Sequence, residues 1–261
     1  MTFFQIYLSA LLLIVSAMAL LWIVSIFLRN VSIADLFWGM GFVISGAWYN
    51  IFAAGTPARK IIVLVLVTIW GLRLTIYLFM RNAGKGEDFR YREFRQKYGE
   101  KRYWWISFFQ TFLLQGILMW LISAPLLGAQ YYTKEFNILD ISGCAVWLLG
   151  FVFEAGGDYQ LARFRSDPSN KGKLLKTGFW SLTRHPNYFG DSAVWWGFGL
   201  ICLGGGSWVP LAGSILMTLL IIKVSGVALL EKSLIETKPG YKEYAETTNA
   251  FIPWFPKKIR K

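Results

Sequence analysis

FFQIYLSALLLIVSAMALLWIVSIFL, residues 3–28, passes through 26 positions without one charged side chain. At about 1.5 Å per residue a helix of this length runs ~39 Å, more than the roughly 30 Å hydrocarbon core of a bilayer. Apolar residues would occupy every face of that helix, whereas a helix of a soluble domain keeps them to one stripe. They do not alternate with polar residues as on a membrane β-strand. The stretch is too long for the apolar part of a signal peptide and lacks a basic start and a small-residue cleavage pattern, so it reads as a retained span.

The rest of the chain follows the same pattern. Of 261 residues 55% are hydrophobic and only 16% charged, and the charges gather into blocks, which excludes an ordinary soluble domain and predicts an all-α integral membrane protein. Seven spans are expected: Phe3 to Leu28, Leu36 to Ala54, Ile61 to Met80, Trp104 to Leu127, Leu139 to Tyr159, Tyr188 to Leu203 and Trp208 to Leu230. The uncharged run from Ser192 to Ile222 is divided at Gly204-Gly205-Gly206-Ser207, where three glycines and Pro210 suit a tight reversal. No repeat or low-complexity linker interrupts residues 1–261, which are read as one membrane domain with its most characteristic part at 139–256.

Segments 81–103, 161–186 and 231–261 hold 8, 6 and 7 of the 27 Lys and Arg residues, and in a seven-span chain all three lie on one side. Short cytoplasmic loops carry the positive excess, so that side is expected to be cytoplasmic, with the C-terminus there, the N-terminus outside, and the bacterial inner membrane as the setting. The net charge of +12 then reports sidedness and attraction to membrane lipid, and nucleic acid is not an expected partner. Cys144 and Cys202 fall within spans as small buried residues, and one histidine with two such cysteines offers no metal-ligand spacing.

Polar residues inside spans are costly and mark candidate sites. Asp35 opens the second span. Arg73, Tyr77 and Arg81 recur at four-residue spacing and form one stripe on the third. Glu154, Asp158 and Arg165 share a face of the fifth span, in E-A-G-G-D-Y-Q-L-A-R-F-R, either as an ion network or as partners for the ribose, amide and phosphates of a ligand. The run S-L-T-R-H-P-N-Y-F-G-D, residues 181–191, sets Arg184 and His185 before Pro186, a helix-starting residue, with Asn187, Tyr188 and Asp191 in the first turns. An anchor of basic and aromatic residues accounts for Arg184, Tyr188 and Trp195, but not for Asn187 or Asp191 entering a span. Lys173 lies in the basic loop between these blocks. Neither a G-x-G-x-x-G nor a G-x-x-x-x-G-K-[ST] run occurs, so a nucleotide would lie among helices.

Taken together, these motifs resemble the steroid 5α-reductase family, its C-terminal membrane domain and related bacterial proteins of the DUF1295 type. Asp158-Tyr159-Gln160-Leu161 with Arg165, then Asn187, Gly190, Asp191 and Trp195, match two blocks and their spacing. Arg73 with Tyr77, and Tyr244 with Ile252-Pro253-Trp254, extend the agreement. The resemblance implies seven helices around NADPH, held by Arg73, Tyr77, Arg81, Glu154, Asp158, Arg165, Lys173, Arg184, His185, Asn187, Tyr188 and Asp191. It also implies a glutamate and a tyrosine on the ketone of the substrate, positions where this chain has Asp35 and Trp70, with Trp38 and Trp195 lining the lipid or steroid. The family's C-terminal histidine and tyrosine are replaced by Ser233 and Thr237, with Glu231 and Lys232 nearby. The expected activity is NADPH-dependent reduction of a carbon–carbon double bond conjugated to a ketone, in a 3-oxo-Δ4-steroid or a similar flat lipid, with Asp35 and Trp70 as catalytic residues. R-H-P-x-Y-x-G is shared with isoprenylcysteine methyltransferases, which leaves an S-adenosylmethionine-dependent lipid methyltransferase as the alternative.

Overall fold

The computed structural model describes residues 1–225 and 227–257, with the side chains of 224, 225, 228–230, 232 and 233 excepted. The described residues form helices and no strand: α1 Phe3–Leu28, α2 Ile33–Phe52, α3 Pro57–Asn82, α4 Phe89–Tyr98, α5 Glu100–Tyr131, α6 Ile138–Ser166, α7 Pro186–Gly205, α8 Leu211–Ser225, α9 Val227–Thr237 and α10 Tyr241–Thr247. Each of the first six expected spans falls on one of these, and the described residues of the last fall on α8 and α9. Four of them, α1, α3, α5 and α6, are long and apolar enough to cross a bilayer. The chain is an integral membrane protein. Glycine, asparagine and tryptophan interrupt the aliphatic residues of α2 and α7, each 20 residues long.

Local chemistry sets the boundaries. Thr2 caps α1 and exchanges hydrogen bonds with Gln5, at 2.9 and 3.3 Å, and Arg29 ends it in the left-handed region at φ 50°. Pro57 starts α3 at a position where no backbone donor is lost. Asn137 caps α6, with Asp140 bonding back to it at 2.9 Å. The glycine reversal is where the sequence suggests: α7 ends at Gly205, Gly206 takes φ 107°, and α8 begins at Leu211. Two stretches are wound as π-helix, Phe108–Leu113 inside α5 and Leu220–Ser225 at the end of α8.

The chain divides into two compact units, Met1–Phe136 with Cys202–Pro210, and Asn137–Ile201 with Leu211–Lys261. In the first, α2 and α3 cross with Gly39 against Gly71, so close that a Cβ on Gly39 would sit 2.3 Å from the Gly71 carbonyl oxygen. Tyr7 of α1 stacks on Trp120 of α5 at 4.4 Å, and each donates to the other's backbone carbonyl. In the second unit α6 and α7 meet along glycines spaced seven apart, Gly143, Gly150 and Gly157 on one helix and Gly190 and Gly197 on the other. A seven-residue repeat stays on one helix face, and small residues there let two backbones approach in a medium where apolar burial alone draws no helices together.

Candidate functional site

That glycine contact brings the second unit's polar residues together. A Cβ at Gly157 would stand 3.2 Å from the Asn187 backbone nitrogen and 3.1 Å from Pro186, so the missing side chain lets the start of α7 reach α6. Asn187 then donates from Nδ2 to Asp158 Oδ1 at 3.1 Å. Glu154, one turn before Asp158, is buried like it, and its backbone nitrogen faces Gly190. Arg165, in the last turn of α6, and Lys173, in the loop after it, are exposed, and Asp191 is half-buried. Trp195 is fully buried, edge-on to Phe198 at 5.6 Å, and its carbonyl accepts from Ser214 at 2.7 Å.

Arg184 and His185 face a different partner. Arg184 spreads Nε and Nη2 over the two oxygens of Glu231 at 2.9 and 2.7 Å, and Nη1 donates to the carbonyls of Ala245, at 2.9 Å, and Thr248. Four of the five guanidinium N–H groups are thus committed within the protein. His185 Nε2 lies 2.7 Å from Glu231 and its ring stacks on Tyr188 at 5.5 Å, while Tyr241 donates its hydroxyl to the same carboxylate at 2.7 Å. Burial would push the Glu231 carboxyl up, but the hydrogen bonds of His185, Arg184 and Tyr241 outweigh it and hold the group down at about 2. The segment before α7 also receives the C-terminal strap: Arg184 N donates to Asn249 O, Trp254 N to Leu182 O, and the Thr183 hydroxyl to the carbonyls of Ala250 and Phe251. Arg184 and His185 therefore organise the C-terminal segment, a task that R-H-P alone does not disclose.

In the first unit the expected stripe on α3 is present, with the Tyr77 ring 5.4 Å from the Arg73 guanidinium and 5.8 Å from that of Arg81. Asp35 sits in the first turn of α2. Its Oδ2 accepts from Arg90 Nη2 at 2.8 Å, and its Oδ1 from the Tyr91 hydroxyl at 2.6 Å and Gln115 Nε2 at 3.0 Å. Burial and the Asp35 charge push the Tyr91 hydroxyl up, so it stays protonated and keeps donating. Three donors converging on it make Asp35 an acceptor in this structure. One and two turns along the same face come Trp38 and Phe42; Phe42 packs on Trp38 at 5.4 Å and on the fully buried Trp70 at 5.7 Å.

A family model described as a protein of unknown function, DUF1295, matches residues 21–248. The chain belongs to the DUF1295 family. An uncharacterized protein of Schizosaccharomyces pombe is 25% identical to it over 89% of this chain and 75% of its own length. A Delta(14)-sterol reductase of Arabidopsis thaliana is 30% identical over 58% of this chain and 39% of its own, and one of Methylotuvimicrobium alcaliphilum 33% identical over 33% and 24%. The chain thus spans well under half of the sterol reductases it matches. No solved structure matches it significantly.

Within this DUF1295 protein, sequence reasoning passes over Tyr91, Arg90 and Gln115 as partners of Asp35, and Tyr241 as a partner of Glu231. Tyr91 and Arg90 belong to a segment that reads only as a basic loop, F-R-Y-R-E-F-R-Q-K-Y, yet it forms α4, capped by Asp88 through the Arg90 backbone nitrogen at 3.0 Å. Glu231 stands out in sequence only as an acid just past the last span. Ser233, expected beside it, lies outside the described side chains, and Thr237 is exposed near the end of α9.

Proposed function

We propose that this protein is a membrane reductase of the sterol reductase kind, adding hydrogen across a carbon–carbon double bond of a steroid or similar flat lipid at the expense of NADPH. The observation that carries the reading is the Asp158–Asn187 pair beside Glu154, buried carboxylates and an amide on two membrane helices, in a family whose relatives include Delta(14)-sterol reductases. The donor set fits the cofactor. Asp158 and Glu154 suit ribose hydroxyls, Asn187 can both donate and accept towards a carboxamide, and Arg165 and Lys173 offer exposed cations for phosphates. The Arg73–Tyr77–Arg81 stripe offers the first unit phosphate-binding chemistry of its own. Arg184 and His185 act in this reading by positioning the helix start that carries Asn187, and Asp191 and Tyr188 lie in that helix's first turns. When bound, the nicotinamide supplies a hydride.

The substrate favoured is an enone such as a 3-oxo-Δ4-steroid, lined in the first unit by Trp38 and Trp70. Asp35, fixed in place by Arg90, Tyr91 and Gln115, shares a proton with the ketone oxygen as negative charge develops there, and Trp70 contributes an indole N–H. Seven spans, an outer N-terminus, cytoplasmic basic segments and a bacterial inner membrane complete the proposal. Asp35→Ala is expected to lower turnover of a 3-oxo-Δ4-steroid by on the order of 100-fold while cofactor affinity is retained. Undiminished turnover would reduce Asp35 to the anchor of α4.

Thermal shift of the purified protein with NADPH, NADH and S-adenosylmethionine tests the cofactor, because a ligand that binds only the folded state raises apparent stability. A shift with S-adenosylmethionine alone would replace the reductase by a methyltransferase. Asn187→Ala is expected to weaken NADPH by about 1–3 kcal/mol, or roughly 5- to 150-fold in Kd. Unchanged affinity in that variant would remove Asn187 from the cofactor site.

A further inference from the structure

At the end of α1 lies a cavity of 230 Å³ lined by Ser25, Arg29, Arg95, Glu100, Tyr103 and Ser107, among others. All of these belong to the first unit. Its level along the membrane follows from α1: Phe27 and Leu28 are exposed apolar residues at the last turn of the uncharged run, and Arg29 is the first charge after it. Trp22 and Trp104 stack beside it at 6.1 Å, in keeping with the aromatic belt where hydrocarbon gives way to headgroups.

The lining groups are charged, and several are uncommitted. Arg29 holds its backbone at φ 50°, a helix-ending conformation that glycine adopts without strain, so the arginine there brings a cation to the cavity at a conformational cost. Among the described residues its guanidinium has no hydrogen-bond or ion-pair partner, and neither has the Glu100 carboxylate. Arg95 gives Nε and Nη2 to Glu87 at 3.0 and 2.8 Å, leaving Nη1. The Tyr103 hydroxyl is fully buried and makes no hydrogen bond; Thr111 lies nearby without meeting hydrogen-bond geometry. Ser25 and Ser107 donate back into their own helices, to Trp22 O and Trp104 O, and so compete for none of these donors. A buried hydroxyl with no partner is costly unless something else supplies the acceptor.

We propose that this cavity binds the phosphoethanolamine headgroup of a membrane phospholipid. The phosphate accepts from Arg29, the free edge of Arg95 and the Tyr103 hydroxyl, and the ammonium donates to Glu100. Three donors with one unpaired acid match a group that carries an anion and a cation a few bonds apart; a plain anion would leave Glu100 facing it unpaired. The room fits as well, since 230 Å³ is the space of about seven or eight waters and the headgroup has eight non-hydrogen atoms.

The full chain, purified in mild detergent, would be exposed to equal amounts of palmitoyl-oleoyl phosphatidylethanolamine, phosphatidylcholine and phosphatidylglycerol, and the retained lipid read by native mass spectrometry. Phosphatidylethanolamine is expected to be retained roughly tenfold better than phosphatidylcholine, whose quaternary nitrogen cannot donate to Glu100. Glu100→Gln should bring the first down to the level of the second, and Arg29→Ala should weaken all three. Tyr103→Phe, which removes only the hydroxyl, should weaken them several-fold without changing their order. Equal retention of the three lipids by the unmodified protein, or unchanged retention in Arg29→Ala, overturns the proposal. So does inorganic phosphate stabilising the protein as well as phosphatidylethanolamine does, because a free anion would then suffice.

Discussion

Gly190→Ala is expected to cost most or all of the folded protein, although it adds one methyl group. The new Cβ would lie 2.3 Å from the Glu154 backbone nitrogen and 2.5 Å from the Gly150 carbonyl oxygen. Both are backbone atoms of a helix, so no side chain can turn aside and α6 and α7 must separate. Overpacking a core costs about 1–3 kcal/mol where side chains can adjust. A clash against backbone belongs at or above the upper end of that range, and separation would also break the Asn187–Asp158 hydrogen bond. Gly116→Ala provides the control, since its nearest neighbour is the flexible Met18 side chain at 3.3 Å. Fluorescence size-exclusion yield and apparent Tm should collapse for Gly190→Ala and stay near normal for Gly116→Ala. A well-folded Gly190→Ala protein with unaltered Tm would mean that the two helices do not approach as described.

Glu231→Ala carries the second largest expected effect. It removes the acceptor of two Arg184 bonds, one from His185 and one from Tyr241, and leaves a half-buried guanidinium with a carboxylate-shaped gap. Breaking a buried pair costs about 3–5 kcal/mol; the 16% of the Glu231 side chain that meets solvent lowers the expectation to roughly 2–4 kcal/mol. The C-terminal strap should loosen with it, seen as faster trypsin cleavage at Lys242. Acid provides an independent readout. Because folding lowers the Glu231 carboxyl from 4.5 to about 2, its contribution is fully present above pH 4.5 and is lost as pH falls through about 2. The unmodified protein should therefore lose an increment of stability across that window that Glu231→Gln lacks. Identical acid profiles for the two proteins would show that the carboxylate does not hold the strap.

What the sequence discloses, and what it hides, follows from the range of the interactions involved. The bounds of α1 can be read directly because the absence of charge over 26 residues is a local property. The reversal at Gly206 is equally local, since a backbone at φ 107° favours glycine on steric grounds alone. Asp158 and Asn187 are recognisable as costly polar residues in spans, but their hydrogen bond joins residues 29 apart and depends on how closely the helices approach. The glycines that permit this approach have a seven-residue spacing that acquires meaning only once the partner helix is known. Arg184 shows the hazard more sharply. A cation before a helix start suits an anionic ligand, and the acid that occupies it is 47 positions away. Asp35, expected to donate to a ketone, is surrounded by donors from α4 and α5 that the composition of their segments does not announce.

The π-helical turn at Phe108–Leu113 has a consequence for how this chain can change its length. Such a turn holds one residue more than an α-helical turn of the same path, so it behaves as a single-residue insertion absorbed without re-aiming the helix on either side. Tyr103 before it and Gln115 after it keep their orientations because the surplus is taken up between them. Losing one residue from this turn would restore an ordinary α-helix with both flanks still in phase. Losing one from the regular turns on either side would rotate everything beyond it by about 100°. Length variation within α5 is thus confined by geometry to one short window, and a register counted along α5 from Tyr103 to Gln115 must allow for one residue that contributes to neither face.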